Sequence, residues 1–340
     1  MARRWKIKPE GSTWGEFGDD NQTGRMAMLT PEIRLEGVAE ARVGEVFTLS
    51  LPLEYPGGSV LSVNRKPPEL RAGRRPDGSA NYQFPLSCLC SDHVDVVNDD
   101  MVVLHTQYST QWDALSHYGC EFDADGDGIA EQVYYNGFGS SGDILGDGQA
   151  GGPRARALGI ENLATAGVQG RGVLVNLFGK FGNDRVLVGH DALQDLIHAQ
   201  NVEVRRGDFL CLYTGFADRI IEMGGRPDGE VLSRSCAALD GHDARLLQWI
   251  TDTGIVAICA DNFAVEAVPH KYVATGARSP LLPLHHHCLF KIGVHLGELW
   301  YFRELADWLA PRGRNAFLLT APPLRLTGSV GSPVTPIATV

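Results

Sequence analysis

Residues 105–117 read HTQYSTQWDALSH, so an imidazole, two carboxamides, a carboxylate and a second imidazole fall within thirteen positions. Oxygen and nitrogen side chains gathered this way are what a divalent-metal site needs, and such a site performs hydrolysis by activating water. If the chain is extended from His105 to Asp113, then His105, Gln107, Ser109, Gln111 and Asp113 share one face, because side chains alternate with period two. An edge strand facing water would look the same. His117 follows Asp113 by four residues, one helical turn if the chain curls there, and its imidazole could then exchange a proton with an activated water.

A second group lies far along the chain. Four of the eleven histidines fall between His285 and His295, in LPLHHHCLFKIGVHLGELW, with Glu298 close behind. Three adjacent imidazoles cannot all enter a core cheaply, so at least one should face a cavity or solvent; a solvated helix start with stacked rings is the alternative. A third group, DADGDG, sets Asp123, Asp125, Asp127 and Gly128 at the first, third, fifth and sixth places of an EF-hand-like calcium loop. Its twelfth place, which needs a bidentate Glu, is Tyr134, and no helix pair flanks it in the sequence.

The elements that must position these groups read as a mixed α/β order. Residues 43–53 suggest a strand, and 100–113 suit a strand leaving the core. Short apolar runs at 172–178, 208–216 and 254–261, bounded by Gly or Asp, read as buried strands. Helical spacing marks 190–200 and 242–254, the latter stopped at Gly254, with shorter helices at 287–293 and 302–310. The sequence holds no Walker loop, no GxSxG elbow and no internal repeat, so P-loop nucleotide binding and serine-hydrolase chemistry are not indicated.

Composition narrows the class further. The 340 residues are 44% hydrophobic and 21% charged, enough to bury a core, and 40 glycines point to many turns. A formal net charge of -11 argues against a nucleic-acid partner, which requires a concentrated cationic surface. The basic start MARRWKIKPEG lacks the apolar run of a signal peptide, and no stretch of about 18 apolar residues occurs to span a membrane. A soluble, cytoplasmic protein is expected. Seven scattered cysteines form no CxxC and read as free thiols, mostly buried.

The stretch QYSTQWDALSH, with Thr110, Asp113 and His117, resembles the HxGTHxDxPxH segment of the cyclase family of metal-dependent hydrolases, which includes kynurenine formamidases and isatin hydrolase. His285, Leu289 and Glu298 resemble the family's later H-x-x-x-L and Glu elements. A longer branch, which includes trans-dienelactone hydrolase, is similar along nearly the whole chain. Its marks here are Trp14, Gly15, Asp19 and Asp20, then residues 29–32, 135–137, 171–174, Gly207 with Asp208, 260–262, and the ending 322–336. Two positions that hold ligand histidines in the family are Gln107 and Gln111 here, a weaker neutral oxygen donor in each case.

The resemblance implies an α/β swivelling β/β/α fold, with a barrel-like mixed sheet flanked by helices. It implies one domain over 1–340, in which 1–40 packs on as an extension and 118–155 is an elaborated loop. It implies Gln111, Asp113, His285 and Glu298 as metal ligands, one zinc or manganese ion, and His117 as acid/base. His105, Gln107 and Glu16 are further candidates for metal or substrate, and Trp14 and Arg325 for substrate, Arg325 through a carboxylate. The implied reaction opens a small lactone or a cyclic or aryl amide, with a dienelactone of aromatic degradation as the leading substrate, in a homo-oligomer. A non-catalytic ligand-binding member with a degraded metal site, and a calcium-stabilised structural domain, are the alternatives.

Overall fold

Short apolar runs, too short for core helices, build the centre of a nine-stranded sheet. In the computed structural model, which describes residues 4–268, 276 and 278–340, its strands are β1 (Val46–Thr48), β2 (Gln111–Asp113), β3 (Gln169–Asn176), β4 (Phe209–Tyr213), β5 (Ala257–Ala260), β6 (His295–Glu298), β7 (Ala316–Thr320), β8 (Gly331–Pro333) and β9 (Ile337–Thr339). Their spatial order is β1-β9-β7-β3-β4-β5-β6-β2-β8. Strands β3 to β6 are parallel, and the flanking pairs are antiparallel. The sheet curls into a half-barrel flanked by helices, as the cyclase-like fold predicts.

Both faces of the central strands are covered, which is why β4, β5 and β6 are buried at every position. On one face, Leu193 and Leu196 of helix His190–Ala199 and Leu246 and Ile250 of helix Ala244–Thr253 pack over Val173, Val175, Leu210 and Leu212. The other face holds Trp112, Trp300, Phe317, Ile160 and Leu305, with the rings of Trp112 and Trp300 edge to face at 5.1 Å. Helix Ala244–Thr253 starts on Asp243, whose carboxylate accepts from Arg245 N and Leu246 N, and stops at Gly254 with φ 70°. Buried Arg25 donates to the carbonyls of Ile250, Thr251 and Ile255, fixing the N-terminal segment to that helix end.

Several sequence expectations need correction. Residues 100–113 are not one strand. Asp100–Val103 pairs with Glu69–Ala72 in an outlying ribbon, the chain then turns, and only Gln111–Asp113 joins the sheet. The turn is fixed by Ser109 Oγ donating to Pro52 O and Thr110 Oγ1 donating to Leu299 O, contacts that alternation along a strand does not encode. Residues 43–53 contribute only Val46–Thr48 as a strand. As the sequence leads one to expect, no helix pair flanks the acidic stretch, which sits at the tip of a hairpin, Cys120–Phe122 with Glu131–Val133. All seven cysteines are free, four of them buried. Among the described residues no helix is long and apolar enough to cross a membrane.

Candidate metal centre

The site forms at the carboxyl ends of the parallel strands, the usual place for a ligand cleft in an open α/β sheet. Antiparallel β2 lies beside β6 with Gln111 opposite Glu298 and Asp113 opposite Leu296, so Gln111, Asp113 and Glu298 project on one face. His285 reaches the same point from the turn Pro283–His285, which continues as a π-helical segment, His286–Ile292. Ligand-capable atoms of Asp113, His285 and Glu298 lie within 4.8 Å of one another, and all three residues are buried.

Successive residues of a helical turn point in directions about 100° apart, which separates the three imidazoles. His285 Nε2 is 3.2 Å from Glu298 Oε1; the His286 ring stacks on Phe290 at 4.9 Å; His287 Nε2 is 2.8 Å from Thr251 Oγ1. Only His285 of the three reaches the cluster.

The hydrogen bonding of the cluster is incomplete in a particular way. Gln111 Nε2 donates to Glu298 Oε2 at 3.0 Å, which leaves Gln111 Oε1 buried with no partner. Both carboxylate oxygens of Asp113 are likewise buried and partnerless. An unsatisfied buried acceptor costs about 1–3 kcal/mol, and an uncompensated carboxylate more. Acceptors converging on one point are the complement of a cation, so these residues suit a divalent metal.

The electrostatics agree. Burial and the negative charge of Glu298 push the Asp113 carboxyl well above the usual range. Burial would raise Glu298 as well, but its hydrogen bond to His285 holds it down. For His285 burial disfavours the imidazolium, yet hydrogen bonds to Glu266 and Glu298 hold it up at about 10. The protonated ring thus fills part of the role of a cation.

Glu266 is the participant that sequence reasoning missed. Its Oε1 accepts from His285 N and lies 2.8 Å from His285 Nδ1, while Oε2 accepts from Leu284 N. A carboxylate on the second nitrogen fixes the tautomer and ring angle of a ligand imidazole. The backbone leading to it is unusual: Ala264 and Val265 both have positive φ, 72° and 58°. A β-branched residue there costs on the order of 1–3 kcal/mol. Asn262 Nδ2 holds the bend by donating to Ala237 O and Val265 O. The available signal was a single carboxylate inside the apolar run FAVEAV, just past a buried strand.

His117 lies where the chain curls after β2, its N donating to Ala114 O and its Nε2 3.8 Å from Asp113 Oδ1. Burial and the positive charges of His285 and Arg65 lower it to about 4, so it is neutral at physiological pH. His117, His285 and Glu298 open on a cavity of about 470 Å³, walled by Leu61, Phe216, Leu232 and Phe263 and reached by Arg65, Tyr118 and Arg185.

The remaining predicted residues are placed elsewhere or at the margin. His105 is exposed in the turn before β2, so the proposed row of ligands from His105 to Asp113 does not exist. Gln107 instead folds its amide over Gly331, the residue opposite Asp113, where a Cβ would meet Nε2 at 2.4 Å. It therefore lies beside the cluster, its Nε2 without a partner. Glu16 is exposed and lines a different cavity, with Trp5, Lys8 and Thr13. Trp14 is in the core behind the π-helical segment, its Nε1 donating to Phe290 O at 2.8 Å. Arg325 is exposed and does not line the cavity. Asp123, Asp125 and Glu131 also bring carboxylates together, but Asp123 already accepts from the N–H groups of Gly126, Asp127 and Gly128.

Comparison with known proteins supplies the relatives. No curated protein matches the sequence significantly. A solved structure described as a novel cyclase is 29% identical, with a TM-score of 0.75 over 97% of both chains. Isatin hydrolase A from Ralstonia solanacearum is 15% identical at TM-score 0.55, over 91% of this chain and 98% of that one. The Labrenzia aggregata enzyme of the same name, bound to benzyl benzoate, is 13% identical at TM-score 0.54, over 87% and 93%. These two show the shared fold. The family model described as "Putative cyclase" matches residues 47–267, most of the chain, and with the sheet, the cluster and the solved relatives in accord, the chain belongs to the cyclase family.

Proposed function

We propose that this protein is a metal-dependent hydrolase that opens a small lactone or a cyclic or aryl amide, with one zinc or manganese ion held by Asp113, His285 and Glu298 and by the amide oxygen of Gln111. The observation that carries this reading is Asp113, whose two oxygens are buried without a partner beside Glu298 and His285. The oxygen-rich donor set suits either ion. That solved neighbours of this fold are named isatin hydrolases fits a hydrolytic reading.

When bound, the ion supplies Lewis-acid polarisation of a carbonyl and a lowered pKa for water. The chain's own groups do the rest. Neutral His117 takes a proton from the attacking water at Nε2 and later delivers it to the leaving oxygen or nitrogen, as the acyl bond to that atom breaks and the bond to water's oxygen forms. Glu266 holds His285 in its orientation. Arg65, whose charge reaches Asp113, His117 and Glu298, favours negative charge growing on the acyl oxygen. The apolar walls exclude bulk water, and Gln107 is placed to contact substrate or metal at the margin.

A dienelactone is the leading substrate within this class. A homo-oligomer is part of the reading: the ribbon of residues 69–103 exposes Leu70, Leu89, Val94, Val96 and Met101, more apolar surface than so thin an element should leave in water. The test is a screen of lactones and cyclic amides with zinc- and manganese-loaded protein. Turnover lost in His117→Ala with metal content unchanged supports the assignment; full activity in that variant refutes the role of His117.

A further inference from the structure

The cavity beside the cluster contains a cation that the reaction just described does not use. Arg185 lines it together with Phe216, Leu232 and Phe263, and among the described residues its side chain makes one hydrogen bond, a long one, Nη1 to Cys236 O at 3.4 Å. Among the described residues no carboxylate lies within ion-pair distance of it. Burial pulls its guanidinium below the ordinary value, so this is a partly desolvated charge facing open space. Arg65 lines the same cavity, but its charge reaches Asp113, His117 and Glu298, whereas that of Arg185 reaches Cys236. The cavity is thus lined by His285 and Glu298 of the cluster, by apolar side chains and by Arg185. A guanidinium fork matches a carboxylate by two parallel N–H···O bonds, and a partly dehydrated site strengthens them.

We infer that Arg185 binds a carboxylate of the substrate, and that the substrate is therefore an organic anion whose apolar body lies between the metal cluster and Arg185. This rests on the hydrolase reading for the word substrate; the anion site itself does not.

The test separates the two. Metal-loaded protein is titrated calorimetrically with benzoate and with benzamide, its neutral isostere, in wild type, Arg185→Met and Arg185→Lys. Benzoate is expected to bind wild type roughly 10- to 100-fold more tightly than benzamide, the range a charged hydrogen-bonded pair supplies. Arg185→Met should erase that preference; Arg185→Lys, which keeps the charge but loses the fork, should retain only part of it. In parallel, 4-acetoxybenzoate should exceed phenyl acetate in kcat/KM by a similar factor in wild type, and Arg185→Met should bring the two together through the anionic ester alone. Equal binding of benzoate and benzamide, or a benzoate preference that survives both substitutions, overturns the inference. If no lactone, cyclic amide or ester turns over while the benzoate preference vanishes in Arg185→Met, the hydrolase reading fails and the anion site stands.

Discussion

Replacing Asp113 by Asn should stabilise the metal-free protein and destabilise the metal-loaded one relative to wild type. Asp113 is fully buried, both its oxygens lack partners, and it approaches Glu298 to within 4.8 Å. Two ionised carboxylates at that separation repel by about 3 kcal/mol at an effective dielectric constant of 20. Asp113 relieves this by holding a proton, which is why its carboxyl lies well above the usual range, but the burial cost remains. An amide of the same shape carries no charge to bury. Metal-free Asp113→Asn is therefore expected to gain about 1–3 kcal/mol over metal-free wild type. With free ion at a thousand times the dissociation constant, wild type gains about 4.1 kcal/mol by linkage, and the variant, short of an anionic ligand, gains much less. Urea unfolding followed by tryptophan fluorescence, once in chelator and once in excess zinc or manganese, measures both differences. The order of stability should invert between the two conditions. An Asn variant weaker than wild type in chelator, or stabilised equally by the ion, would refute the reasoning.

Other outcomes follow from the same geometry. Glu266→Gln should keep the fold by circular dichroism and weaken metal binding by about 10- to 100-fold, because His285 loses the carboxylate that orients it. Metal affinity should rise with pH: His285 is held protonated up to about 10, an ion must displace that proton and any that Asp113 holds, and each unit of pH below that value should cost at least about tenfold, as titrations at pH 6, 7 and 8 will show. His117→Ala should retain its metal by elemental analysis and lose about 100- to 10,000-fold in kcat on any lactone or amide that the wild type opens. Calcium should leave the melting temperature unchanged in wild type and in Asp125→Ala, since the acidic hairpin already satisfies Asp123 from its own backbone; a rise lost in the variant would show resident calcium.

How much of this was legible in the sequence depended on whether the signal was local. Buried parallel strands announce themselves as short apolar runs, so β3, β4 and β5 were found within a few residues, as were the helices ending at Ala199 and Thr253. Asp113 and His117 were readable because their spacing matches a curl that occurs within the same segment. Of the three adjacent histidines the family resemblance points to His285, and that is the one the structure brings to the cluster, from the short turn before the π-helical segment. The row from His105 to Asp113 holds only at Gln111 and Asp113, because period-two alternation cannot register a turn held by contacts to Pro52 and Leu299, residues distant in sequence. Glu266 and Arg185 were missed for a related reason: each is a single charged residue in an unremarkable stretch, and only the fold brings it to the site. Trp14 and Glu16 lie in the stretch that carries the family resemblance, yet both sit behind or away from the cavity. A motif near the N-terminus can thus be structural even where it resembles a functional family closely.

The central claim is that the buried cluster holds a metal. Elemental analysis of protein purified without added metal, wild type beside Asp113→Ala, tests it most directly. The account predicts close to one zinc or manganese per wild-type chain and a small fraction of that in the variant. Wild-type protein that carries no transition metal, and takes up none on titration, would contradict it.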